Sequence, residues 1–139
     1  MSPVDRPFAS LAVGQSDAFT HLVTQEDLAR FVEVSGDANP LHTDANYAAR
    51  TDFKQPIVHG MFLGALVSRL IGMYLPGLHS VLLKEELAFL QPVHVGEAVV
   101  VRGEVSQLSQ ATQLVVIAVN ISVEEQTVAR GMVHVRLLA

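Results

Sequence analysis

Apolar residues fall at helical spacing in the first half of the chain and alternate in the second, with the change near residue 80. Residues 17–23, "DAFTHLV", read as a short strand. Thr24 then stands where a helix N-cap belongs, with Asp27 at the capping-box position and Leu28, Phe31 and Val32 following at helical intervals. Gly36 marks the expected end of that helix. From Asp37 to about Pro56 no period is sustained, apart from a short helical turn around Ala45–Ala49. This is an ordered excursion, long for a plain connection.

Residues 59–75, "HGMFLGALVSRLIGMYL", form the strongest helical pattern. Leu63, Leu66, Val67, Leu70, Ile71 and Tyr74 make a broad apolar stripe at spacings of three and four. Gly60, Gly64, Ser68 and Gly72 repeat every four residues on another face, so a neighbour is expected to approach the helix backbone there. Pro76-Gly77 ends it. Strands are expected at 80–91 and 97–107, with Pro92 and Gly96 between them. Lys84, Glu85 and Glu86 break the alternation and are read as solvent exposure or a bulge. Val115, Ile117, Val119, Ile121 and Val123 face one way; after a polar turn at Glu124–Thr127, Val133, Val135 and Leu137 alternate again. Successive long strands without intervening helices imply an antiparallel sheet. One apolar helix beside such a sheet gives an α+β architecture, with the sheet curled around the helix.

Composition narrows the picture without changing it. A chain of 139 residues, half of them hydrophobic, suits one domain (1–139) with a substantial core. Nine Lys and Arg are thinly spread in a chain of net charge -5, so no basic stripe points to nucleic acid. The absence of Cys excludes disulfides, thiolate metal sites and a Cys nucleophile, and suits a cytoplasmic protein. The N-terminal residues, with Asp5 early, do not read as a signal peptide. The apolar run from Pro56 to Leu83 is broken by His59, Arg69, Pro76 and His79, short of a clean membrane span.

The candidate chemistry lies in "SGDANPLHTDANYA", residues 35–48. Asp37 and His42, five residues apart around Asn39-Pro40, have the side chains of a general acid–base pair and are able to converge on one water. Spacing alone fits a decorated loop better: Asp37 capping a turn, Asn39 in an Asx turn, His42 solvated. A metal held by His42 and Asp44 is a weaker reading, because no third ligand stands nearby. In "PIVHGMF", Gly60 falls at the expected N-terminus of the main helix, where unpaired N–H groups suit a developing oxyanion; a packing glycine fits as well. Ser68 lies eight residues on, in the same small-residue row, where packing is the commoner role. His59 is assigned a structural role at the helix start. His21, His79, His94 and His134 stand alone, and no G-x-S-x-G elbow supports a serine hydrolase.

Together, "FVEVSGDANPLHTDANYA" and "PIVHGMFLGALVS" resemble the MaoC-like, (R)-specific enoyl-CoA hydratases. The likeness extends from about Leu28 to Gly96, through "LPG" at 75–77 and "FLQPVHVGE" at 89–97. The resemblance implies a hot-dog fold, a homodimer joined at sheet edges, and an acyl-CoA thioester substrate. It also implies roles for residues. Asp37 and His42 would activate one water for addition to a trans-2-enoyl-CoA, giving an (R)-3-hydroxyacyl-CoA. The Gly60 N–H would hold the thioester oxygen, with Asn39 and Ser68 near the pair. Leu66, Leu70, Ile71 and Tyr74 are candidates for the acyl-tunnel wall. No metal or other cofactor is called for. The motifs do not separate this activity from that of a dehydratase acting on acyl carrier protein, although the nine scattered basic residues favour CoA. A non-catalytic hot-dog partner subunit is the alternative outside catalysis, disfavoured because every motif residue is kept. A hot-dog thioesterase is disfavoured by the Asp37–His42 segment.

Overall fold

The computed structural model describes residues 1–138. Five antiparallel strands form one sheet: β1 (Ser16–Leu22), β2 (Ser80–Phe89), β3 (Ala98–Ser109), β4 (Leu114–Val123) and β5 (Gln126–Leu137), in spatial order β1-β3-β4-β5-β2. Alternation decides which side is buried. Val99, Val101 and Val105 of β3, Val115, Ile117, Val119 and Ile121 of β4, and Val133 and Val135 of β5 all face the core. Their polar alternates face out, as expected of an antiparallel sheet with one wet side.

Helix α1 (Gln25–Ser35) starts on the expected capping box, in which the Thr24 hydroxyl accepts from the Asp27 N–H and the Asp27 carboxylate accepts from the Thr24 N–H. Burial pushes the Asp27 carboxyl up, but the Thr24 N–H and the adjacent His21 ring outweigh it and hold the group below its ordinary value. Gly36 ends the helix in the left-handed conformation at φ 75°, its N–H donating to the Val32 carbonyl. That reversal sends the chain into the excursion, which contains α2 (Pro40–Thr43) and the expected turn, α3 (Ala45–Ala49).

Helix α4 (Gly60–Arg69) lies against the concave side of the sheet with Leu63, Leu66 and Val67 buried. The single helix expected over 59–75 changes pitch at its end: Leu70–Tyr74 form a π turn, closed by the Leu75 N–H donating to the Leu70 carbonyl. The wide turn carries Tyr74 onto the Phe19 ring of β1, stacked at 5.0 Å, while Leu70 packs over Gly103 of β3. The small-residue row is explained in part. A Cβ on Gly60 would sit 3.1 Å from the Phe89 ring, and one on Gly64 would sit 3.4 Å from Glu85 Oε2, so β2 is the element that approaches. At Gly72 nothing lies within 4 Å.

Strand β2 takes the bulge rather than the solvent-exposed alternative at Lys84–Glu86, and strand β5 starts inside the expected turn. In β2 the register against β5 slips between Leu82 and Lys84, a bulge that turns Glu85 and Leu87 inward and Lys84 and Glu86 outward, while the half-exposed Phe89 lies over Gly60. Glu85 is therefore not a solvent residue. Strand β5 begins at Gln126, because Glu124 and Glu125 both take positive φ (48° and 68°) in a two-residue hairpin turn.

Glu85 Oε1 is buried without a hydrogen-bond partner, and burial pushes its carboxyl above the ordinary glutamate value. The folded chain thus tolerates the protonated form and penalises the charged one. No penalty exists below the ordinary value; stability is lost as pH rises through the raised folded value. Glu85→Gln is predicted to raise the melting temperature at pH 8 and to raise it much less at pH 4. Equal shifts at the two pH values in thermal melts would contradict burial as the cause.

Candidate active site

Residues 37–44 owe their shape to short-range bonds that this sequence supplies. The Asp37 N–H donates to Ser35 Oγ, and Asp37 Oδ1 accepts from the Asn39 N–H at 3.2 Å. Asn39 Oδ1 accepts from the Leu41 N–H and so caps α2, with Pro40 preset at its first position. Asp44 Oδ1 accepts from the N–H groups of Asn46 and Tyr47 and caps α3. Asn39 and Asp44 are thus occupied in building the segment.

A second strand of chain grips this segment from outside. The Ile57 N–H donates to the Leu41 carbonyl at 3.2 Å, and the His42 ring places Nδ1 2.7 Å from the Ile57 carbonyl. The His59 ring places Nε2 3.0 Å from the Asp37 carbonyl. Residues 56–58 are themselves tied to the far side of the cleft: the Val58 N–H donates to the Val93 carbonyl at 2.7 Å, and His94 Nδ1 approaches the Pro56 carbonyl.

The result brings Asp37, His42 and His59 together, with one side-chain oxygen or nitrogen of each within 4.8 Å of the others. A carbonyl only accepts, so His42 carries its proton on Nδ1 and its lone pair on Nε2. By the same logic His59 is protonated on Nε2. This assigns a tautomer to each ring from its partner. The three residues are the group among those described that lies close enough to share a metal ion. His59 Nε2 is engaged by the Asp37 carbonyl, so the free lone pair of that ring is on the buried Nδ1.

His42 and Gly60 line the same cleft, of about 350 Å³, with Phe53, Leu63, Phe89 and Leu90. Gly60 is the first residue of α4, so its N–H has no intrahelical acceptor. The Phe89 ring lies across it, and a β-carbon there would press on that ring. The cleft is apolar around a few convergent polar groups, the usual composition of a small-molecule site.

Other expected residues lie elsewhere. Ser68 is exposed on α4, two turns beyond Gly60 and outside this cleft. Leu66, Leu70 and Ile71 are sealed in the core, and Tyr74 is engaged with Phe19. The cleft wall holds Leu63, Phe53, Phe89 and Leu90, of which the apolar stripe offered only Leu63. Phe89 reaches the cleft from the end of β2, and nothing in the sequence singled out Phe53. His59 is more than a helix-start residue, since its ring bonds to the Asp37 segment.

The profile of the MaoC-like domain matches residues 10–127. The chain belongs to the MaoC-like domain family. It is 33% identical over 130 residues to a 3-hydroxybutyryl-CoA dehydratase of Methylorubrum extorquens, covering 94% of this chain and 83% of that one. It is 44% identical over 101 residues to an (R)-specific enoyl-CoA hydratase of Aeromonas caviae, covering 73% and 75%. The solved structure of an R-hydratase from Pseudomonas aeruginosa superposes with a TM-score of 0.90 at 37% identity, covering 96% of this chain and 86% of that one. The five-stranded sheet around α4 is the hot-dog fold of these MaoC-like relatives.

Proposed function

We propose that this MaoC-like chain is an (R)-specific enoyl-CoA hydratase, adding water reversibly to a trans-2-enoyl-CoA. The observation that carries the reading is the convergence of Asp37 and His42, each offering a donor atom within 4.8 Å of the other, with His42 and Gly60 lining one cleft. One water held between Asp37 and His42 loses a proton to the pair as its oxygen bonds to C3. The pair returns a proton to C2, so H and OH are added and the pair ends as it began. Between these events negative charge gathers on the thioester oxygen, where the Gly60 N–H and the positive end of α4 stabilise it. The acyl group lies along Leu63, Phe89 and Leu90. No step calls for a cofactor or metal.

The same reading includes a second copy of the chain. Strand β2 is a free sheet edge, and Leu83 and Phe89 on it are 54% and 49% exposed, beside Met61 of α4 at 63%. Edge-to-edge pairing of two β2 strands covers this apolar strip and the exposed face of α4 that carries Ser68.

Two measurements test these points. Purified protein is expected to consume crotonyl-CoA, and Asp37→Asn and His42→Ala, both folded, to lower kcat by about 100-fold or more. Undiminished turnover in either variant would remove that residue from the mechanism, and an inert wild type would point to a carrier-protein thioester. Sedimentation equilibrium is expected to give twice the 15.0 kDa chain mass. A single-chain mass would reject the dimer.

A further inference from the structure

His59 is the one fully buried polar side chain among the described residues, 2% exposed, yet its Nδ1 has no hydrogen-bond partner. A ring wanted only for bulk would be better apolar, since an unpaired buried nitrogen destabilises the fold. Its contacts point to another role. The ring is stacked on His42, centroids 3.9 Å apart and planes 24° from parallel. Phe31 packs against it at 4.9 Å, tilted by 59°. Its Nε2–H donates to the main-chain carbonyl of Asp37, 22 positions earlier in the chain. One rigid ring therefore touches both partners of the proposed pair, one through its backbone and the other through its face.

We infer that His59 is a positioning residue that sets the separation between the Asp37 carboxylate and His42 Nε2; this rests on the hydratase reading above. The in-plane bond from His42 Nδ1 to the Ile57 carbonyl fixes the direction in which Nε2 points, but leaves the ring free to rotate about that bond. The His59 face removes this freedom. The bond to the Asp37 carbonyl does the same for the loop, because Asp37 follows the left-handed Gly36 and its own N–H is held only by Ser35 Oγ. Without His59 both groups remain present but vary in distance, and a shared water is held in the reactive position for less of the time.

The substitutions that separate this from a packing role are His59→Phe, His59→Gln and His59→Asn. Phenylalanine keeps a ring without the donor. Glutamine places an amide nitrogen near the Nε2 position, and asparagine is too short to reach it. With crotonyl-CoA, His59→Phe is expected to lower kcat at least tenfold with KM within about threefold and no loss of melting temperature. His59→Gln is expected to retain several-fold more of kcat than His59→Asn. Wild-type kcat in folded His59→Phe, or equal losses in the Gln and Asn variants, would overturn the inference.

A measurement without turnover keeps it distinct from the hydratase reading. Backbone 15N order parameters at Ala38 and Asn39 should stand near 0.85 in the wild type and fall below about 0.6 in the variant lacking the donor. Long-range 1H–15N correlation should show neutral His59 protonated at Nε2. Unchanged order parameters, or an Nδ1–H tautomer at His59, would overturn the positioning role even in an active enzyme. An inert wild type with these signatures intact would reject the hydratase reading alone.

Discussion

Three hydrogen bonds between residues 57–59 and residues 37–42 set the geometry on which the rest of the site depends. Each contributes about 1 kcal/mol net, less than the backbone entropy lost in ordering a residue or two. They therefore direct the segment rather than hold it. The holding falls to apolar anchors at either end: Ala48 of α3 and Val58 before α4 are both buried, and Val58 is bonded to Val93 across the cleft. A polar excursion with nothing else behind it would wander; this one is clamped onto the start of the buried helix.

The sheet's contribution is indirect. Its inward valines and isoleucines fix α4, and α4 fixes where Gly60 presents its N–H. Strand β2 supplies the opposite wall through Phe89 and, one turn deeper along α4, brings Glu85 against Gly64. The same small-residue row on α4 thus serves two ends: it lets the cleft wall come close at Gly60, and it accommodates an inward carboxyl at Gly64.

What could be read from sequence followed locality. Helix α1 was legible at both ends because Thr24, Asp27 and Gly36 code its caps within a few residues. The loop chemistry was legible because Asp37, Asn39 and His42 lie within six positions of one another. The bulge in β2 was legible only as one of two alternatives, since its register is set against β5, more than forty residues on. The start of β5 was hidden because Glu124 and Glu125 take a turn conformation usually signalled by Asn or Gly. His59 was underread for the same reason as the bulge: its partner is the Asp37 carbonyl, and a main-chain acceptor leaves no mark in a sequence. The cleft wall of Phe53, Leu63 and Phe89 joins three separate parts of the chain, so no local pattern reports it.

The central claim is that Asp37 and His42 work from one side of the substrate on one water. Hydration of crotonyl-CoA in D2O, with the product's C2 deuterium and C3 configuration assigned by NMR, tests it most directly. An (R) alcohol is expected, with deuterium added at C2 on the same face as the hydroxyl. Addition to opposite faces, or an (S) alcohol, would contradict it.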